Sequence, residues 1–183
     1  MRKLKLDELK RAGVEEFKQQ KKLPVTIVLD NVRSMHNVGS IFRTCDAFAV
    51  EEIVLCGITG KPPHREIEKT ALGATRSVNW QYFEDNASAM HYLNEKNRQL
   101  IAVEQVEGSM SLNSFKPFPN QNYALVFGNE VNGVSDNFIS NAFLCLEIPQ
   151  FGTKHSFNIV ISAGIVLWDF FAKLNLNYSS NGN

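Results

Sequence analysis

The stretch VTIVLD, residues 25–30, is a short apolar run rich in β-branched residues that ends on an acid. Such a run suits a strand buried on both faces rather than a helix, because it is too brief for helical periodicity. Similar runs recur as EEIVLCG (51–57), SVNWQYF (77–83), RQLIAVEQ (98–105), NYALVFGNE (122–130) and CLEIP (145–149). Segments with helical spacing separate most of them. Parallel neighbours need long crossovers, and helices then cover both sheet faces. The alternation therefore predicts an α/β fold built on a mostly parallel sheet of six strands flanked by helices.

The predicted helices cover 4–20, 37–48, 67–74, 86–97, 135–143 and 157–174. Asn86 is placed as the N-cap of the fourth, and a Pro-rich loop, GKPPHR, precedes the third. Residues 105–121, rich in Ser, Pro, Asn and Gly, form the longest irregular stretch. No internal repeat is present. At 183 residues one domain is expected, with residues 1–22 as a helical arm, 23–174 as the main body and 175–183 as a frayed tail.

Formal net charge is zero, so composition alone does not point to nucleic acid. The distribution is uneven. Residues 1–22 carry eight Lys or Arg against four Asp or Glu, whereas residues 104–158 carry two against five. A basic arm attracts phosphates, although a solvated amphipathic helix has the same pattern. Cys45, Cys56 and Cys145 are widely spaced within apolar runs, which fits free thiols in a reducing compartment and no metal site. The N-terminus has no apolar core of a secretory signal, and Asn158, Ser162 and Asp169 interrupt the longest apolar stretch. A cytoplasmic protein with no membrane partner is expected.

Three clusters carry chemistry, each following a predicted strand, where ligands of such sheets bind. The first is NVGSIFRT, with Asn37, Gly39, Arg43 and Thr44. The second is LVFGNEVNGVS, in which Gly128 and Gly133 flank Glu130. Two glycines and an acid suit a small molecule held through main-chain groups, and they also suit an ordinary strand-to-helix turn. The third is EIPQFGTKHSFNIVISAG, where Ser156 and Asn158 lead into a long apolar helix. Either residue could cap that helix. GxGxxG and GxxxxGK[ST] are both absent, so neither a dinucleotide fingerprint nor a P-loop is present.

Taken in order, N-x-G-x-x-x-R-T, FGNE-x-x-G and IP-x-x-G-x-x-x-S-x-N resemble the motifs of the SpoU (TrmH-like) branch of the SPOUT RNA methyltransferases. The likeness spans roughly residues 24–172. It implies a C-terminal trefoil knot, a homodimer, S-adenosylmethionine as cofactor and methylation of a ribose 2′-hydroxyl of RNA, with tRNA favoured over rRNA because no separate N-terminal RNA-binding domain is evident. A catalytically silent RNA-binding or assembly factor on the same scaffold is the alternative, and the intact set of polar motif residues argues against it.

By that resemblance the cofactor-binding positions are Val103, Glu104, Gly128, Asn129, Ile148, Ser156, Phe157 and Asn158. The polar catalytic positions are Asn37, Arg43, Glu130, Ser156 and Asn158. Dimer packing is expected on the first-motif and last helices, through Phe42, Trp168, Phe170 and Phe171. Arg43, Lys3, Lys10, Arg11, Lys61 and Arg65 are the expected RNA contacts. A guanidinium, with a pKa above about 12, is a poor base. Arg43 is therefore expected to pair with an RNA phosphate or to stabilise the forming alkoxide by bidentate hydrogen bonding, rather than to remove a proton.

Overall fold

The protein is described by a computed structural model covering residues 1–9 and 11–174; Lys10 and the expected tail at 175–183 lie outside the described residues. Among the described residues seven strands form one sheet: β1 (Leu23–Asp30), β2 (Val50–Cys56), β3 (Asn79–Phe83), β4 (Gln99–Val103), β5 (Met110–Ser111), β6 (Tyr123–Phe127) and β7 (Leu144–Glu147). Their order is β3-β2-β1-β6-β4-β7-β5, and every pairing is parallel. The six expected strands are all present. The seventh, β5, is a two-residue edge strand inside the stretch read as irregular, too short to leave a periodic signal.

Side chains alternate across the sheet. Val25, Ile27 and Leu29 of β1, with Tyr123, Leu125 and Phe127 of β6, enter one core, while Val28, Ala124 and Val126 enter the other. The first core is covered by α2 (Met35–Ala47), α3 (Arg65–Ala71), α4 (Ala74–Ser77) and α7 (Ile159–Leu174). The second is covered by α5 (Asn86–Glu95) and α6 (Asp136–Asn141). In α7 the buried residues Ile159, Ala163, Val166, Leu167 and Phe170 recur at helical spacing. Each large apolar side chain so buried contributes roughly 1.5–3 kcal/mol.

Several boundaries differ from expectation for identifiable reasons. The helix expected at 4–20 is a 3-10 turn at Leu6–Leu9 and a separate α1 (Val14–Gln19), with Gly13 at the cap position of α1. Phe17 of α1 belongs to the core, so the arm is anchored at its C-terminal end. The helix expected at 67–74 is split into α3 and α4, because Leu72 and Gly73 both take positive φ. Asp85, not Asn86, caps α5, its carboxyl accepting the Ser88 N–H at 2.8 Å. Phe42 and Phe170, expected at a dimer surface, are fully buried core residues. Helix α2 begins at Met35, two residues before the expected start, with Ser34 as its cap. Asn37 consequently lies in the first turn instead of at the mouth.

Gly39 explains how α2 sits on α3. A Cβ at Gly39 would lie 2.2 Å from both Ile67 O and Thr70 Oγ1, and the Thr70 hydroxyl donates to His36 O across the same seam. Gly39→Ala should cost about 1–3 kcal/mol, because the helices must separate. A urea melt giving wild-type stability would show that α2 and α3 yield without cost.

Candidate active site

The central strands end nearly level: Leu29 pairs with Phe127, Ala102 with Val126, and Val103 with Leu146. Chain order reverses at β1, with β2 and β3 on one side and β6 and β4 on the other. A binding crevice in a parallel α/β sheet forms at such a switch point, outside the carboxyl ends. The loops after β1, β6, β4 and β7 all emerge on this edge and carry the three sequence clusters.

The loop after β6 is held in a tight form. Asn129 and Gly133 exchange two main-chain hydrogen bonds of 2.9 Å. The Asn129 side chain accepts the N–H groups of Val131 (2.8 Å) and Asn132 (3.1 Å) and donates to Asn31 O at 2.7 Å. A Cβ on Gly128 would lie 2.1 Å from Gly133 C and Val134 N, so only glycine allows this closure. Gly133 takes a φ of 69° and faces the Glu104 carboxylate, which accepts the Val134 N–H at 2.9 Å.

Glu130 projects from this loop onto the start of α2. Its carboxylate accepts the N–H groups of Arg33 (3.0 Å) and Ser34 (3.2 Å) and the Asn37 side-chain amide (3.1 Å). An acid at a helix N-terminus is also favoured by the helix dipole. Burial pushes the Glu130 carboxyl up. Hydrogen bonds from Arg33, from its own N–H, from Asn37 and from Ser34 together outweigh that, so it sits below its ordinary range.

A depressed folded pKa stabilises the native state above the unfolded value, and that stabilisation is lost as pH falls through the folded value. Urea melts of the wild type and Glu130→Gln should differ by a constant amount between about pH 6 and 8. The difference should narrow as pH falls below about 4.5 and close only below the lowered folded value. A gap that persists unchanged in acid would mean that Glu130 stabilises through packing and not through its charge.

The third cluster closes the arrangement. Chain leaving β7 crosses back over the ends of β4 and β6, because Asn158 reaches the loop region after β1. Asn158 caps α7, its Oδ1 accepting the Val160 N–H at 2.9 Å, and its Nδ2 donates to Asn37 Oδ1 at a long 3.5 Å. Asn158, Asn37 and Glu130 thus form one hydrogen-bonded chain with a member from each sequence cluster.

Beneath it lies a cleft of about 690 Å³, lined by all eight expected cofactor positions: Val103, Glu104, Gly128, Asn129, Ile148, Ser156, Phe157 and Asn158. That volume is within the ordinary range for a small-molecule site. Glu104, Glu130, Asp136 and Glu147 are among the residues that line it, whereas no Lys or Arg does among the described residues. The glycine-closed loop and the acidic lining fit a ligand that carries positive charge and is gripped by main chain.

Arg43 stands apart from this cluster. It lies six residues beyond Asn37, about 9 Å along α2 and about 120° around it. Its side chain is exposed and forms no hydrogen bond or ion pair among the described residues. Ser156 lines the cleft without a hydrogen bond among the described residues. Lys3, Arg11, Lys61 and Arg65 are exposed and do not line the cleft, and Lys61 Nζ sits 3.9 Å over the Tyr82 ring. Asp30, Asn31, Asn86 and Ser135, which hold the surrounding loops, have no strong sequence signal. A single acid closing an apolar strand is the only hint of Asp30.

Residues 24–168 match the SpoU rRNA Methylase family. The chain belongs to that family. A similar relative is the tRNA (guanosine(18)-2′-O)-methyltransferase of Thermus thermophilus, 28% identical over 165 residues that cover 88% of this chain and 81% of the relative. The fold is shared with the TrmH/SpoU tRNA modifying enzyme of A. aeolicus, with a TM-score of 0.77 and 24% identity over 87% of this chain and 80% of the other. It is also shared with the SpoU methyltransferase AviRb of Streptomyces viridochromogenes in complex with AdoMet, with a TM-score of 0.75 and 18% identity over 85% and 62% of the two chains. The SpoU match spans all three clusters that meet at the cleft. Among the described residues no group of acids, histidines or cysteines could hold a metal ion, and no helix is long and apolar enough to cross a membrane.

Proposed function

We propose that this chain methylates a ribose 2′-hydroxyl of RNA, using S-adenosylmethionine and taking tRNA as its substrate. The observation that carries this is the meeting of Asn37, Glu130 and Asn158 over the acidic, glycine-closed cleft. When bound there, the cofactor supplies an electrophilic methyl group on a cationic sulfur. Gly128, Asn129, Ile148 and Phe157 form the walls that orient it. Glu104 and Glu147 offer negative charge to its positive centres.

The attacking ribose oxygen must approach from the rim, where Asn37 and Asn158 present amide groups to the sugar. Glu130 is a positioning residue. Its oxygens are already occupied by Arg33, Ser34 and Asn37, and its low pKa makes it a weak proton acceptor. Arg43 supplies a charged fork to the RNA phosphate or to the oxygen that develops negative charge. Ser156 offers the rim a hydroxyl that the described residues leave free to meet the sugar.

The same proposal makes the protein a knotted homodimer in the cytoplasm. The return of residues 148–158 across the ends of β4 and β6 supports the knot. Helix α7 supports the dimer: it is apolar on more than its core face, leaving Ile161 and Trp168 exposed seven residues apart, on one side of the helix. Trp168 stacks on Phe171 with ring centroids 6.0 Å apart, and with Phe48 these rings make a ready apolar surface. The arm 1–22 and the exposed Lys61 and Arg65 would grip RNA outside the cleft.

The test is tritium transfer from labelled S-adenosylmethionine to unmodified tRNA, with rRNA in parallel, read as nucleoside composition. A 2′-O-methylated nucleoside from tRNA is the expected result. Cofactor binding without transfer to either RNA would mark a silent scaffold, and no cofactor binding would overturn the assignment.

A further inference from the structure

Taking the cleft as the cofactor site, as proposed above, we infer that Asp30 is a positioning residue for methyl transfer, acting through Ser135 on the loop that forms the cleft floor. Asp30 ends β1 and is 1% exposed. It has no ion-pair partner among the described residues. Three donors converge on its carboxyl group instead. Ser135 N–H reaches Oδ2 at 2.8 Å, the Ser135 hydroxyl donates to the same oxygen, and Asn31 Nδ2 donates to Oδ1 at 2.8 Å.

A polar relay supports this arrangement from behind. The Cys56 thiol donates to Asn86 Oδ1 at 2.9 Å, and Asn86 Nδ2 donates to Ser135 Oγ at 2.6 Å. The Ser135 hydroxyl is left one direction in which to donate, and that direction is Asp30. Burial pushes the Cys56 thiol up to about 12, so it remains a protonated donor at neutral pH.

Residues 128–135 are thereby pinned at both ends. Ser135 is held by Asp30 at one end, and at the other Asn129 donates to the main-chain oxygen of Asn31, the residue after Asp30. Between these anchors lie Glu130, which sets Asn37, and the main chain that walls the cleft. A buried polar group satisfied on every side holds its partners in one geometry, and losing one partner leaves the others unsatisfied. Losing Asp30 would therefore loosen the cleft floor and the Asn37 contact together, although Asp30 lines neither.

The experiment is calorimetric binding of S-adenosylmethionine, with KM and kcat for tRNA methylation, on the wild type, Asp30→Asn and Ser135→Ala. Each is measured well below its own melting temperature. Ser135→Ala keeps its main-chain link to Asp30 and is the variant to rely on if Asp30→Asn does not fold. About tenfold weaker cofactor binding, with kcat also reduced, is expected for either folded variant, in line with the steep cost of small misplacements. The double variant should be no worse than the worse single one, because both act through the same link. Cofactor affinity and kcat at wild-type levels in folded variants, with only the melting temperature lowered, would make Asp30 a structural link alone and overturn the inference. Absence of cofactor binding by the wild type would overturn this inference and the proposed function together, so the two failures are separable.

Discussion

Arg43→Lys should lower the turnover of methyl transfer to tRNA by about 100-fold while leaving the affinity for S-adenosylmethionine unchanged. Lysine keeps the positive charge but loses the planar fork that grips two oxygens at once. The fold should not respond, since Arg43 is exposed and unpaired among the described residues. Single-turnover transfer and cofactor calorimetry separate the outcomes. Near-normal turnover would show that charge alone suffices and that bidentate geometry has no part. A loss of cofactor affinity would move Arg43 from the RNA side of the reaction to the cleft.

Gly128→Ala weakens cofactor binding by about 100-fold, the second large effect expected. Its Cβ would come within 2.1 Å of main-chain atoms at Gly133 and Val134, which have no flexible end to retreat. The Asn129–Gly133 pairing must then open, carrying Glu130 away from Asn37. Calorimetry of a folded variant measures the effect directly. Wild-type affinity would mean that the loop relaxes without disturbing the cleft, and that the glycine serves local folding alone.

The two substitutions probe residues of equal legibility. Arg43 and Gly128 both stand in motifs visible in the chain, and so do Asn37, Glu130, Ser156 and Asn158. Periodicity placed the strands well because each is a short apolar run that must be buried on two faces. It placed helix starts less well. Ser34 caps α2, yet nothing in SMHNVGS distinguishes Ser34 from Asn37 until the direction of the chain leaving β1 is known. Asp85 and Asn86 are both good caps, and the choice went to Asp85 because Asn86 is taken by Ser135 and Cys56.

The same distinction separates Phe42 from Trp168. Both are large aromatic residues on helices that cover the first core, yet Phe42 is fully buried and Trp168 is 60% exposed. Which face a helix buries depends on its rotation against the sheet, a matter of packing.

Local chemistry along the chain thus determined the α/β class, the six main strands and the three polar clusters, because those depend on the period of apolar residues and on which side chains a short segment holds. That the clusters form one site was decided in three dimensions. Asn37, Glu130 and Asn158 span 121 residues and touch only because β6 inserts beside β1 and the chain returns over it to α7. Asp30 and Ser135, 105 residues apart, meet for the same reason. Contacts so distant in sequence leave no mark on the period or composition of any segment, since their energy comes into being only when the sheet order is complete.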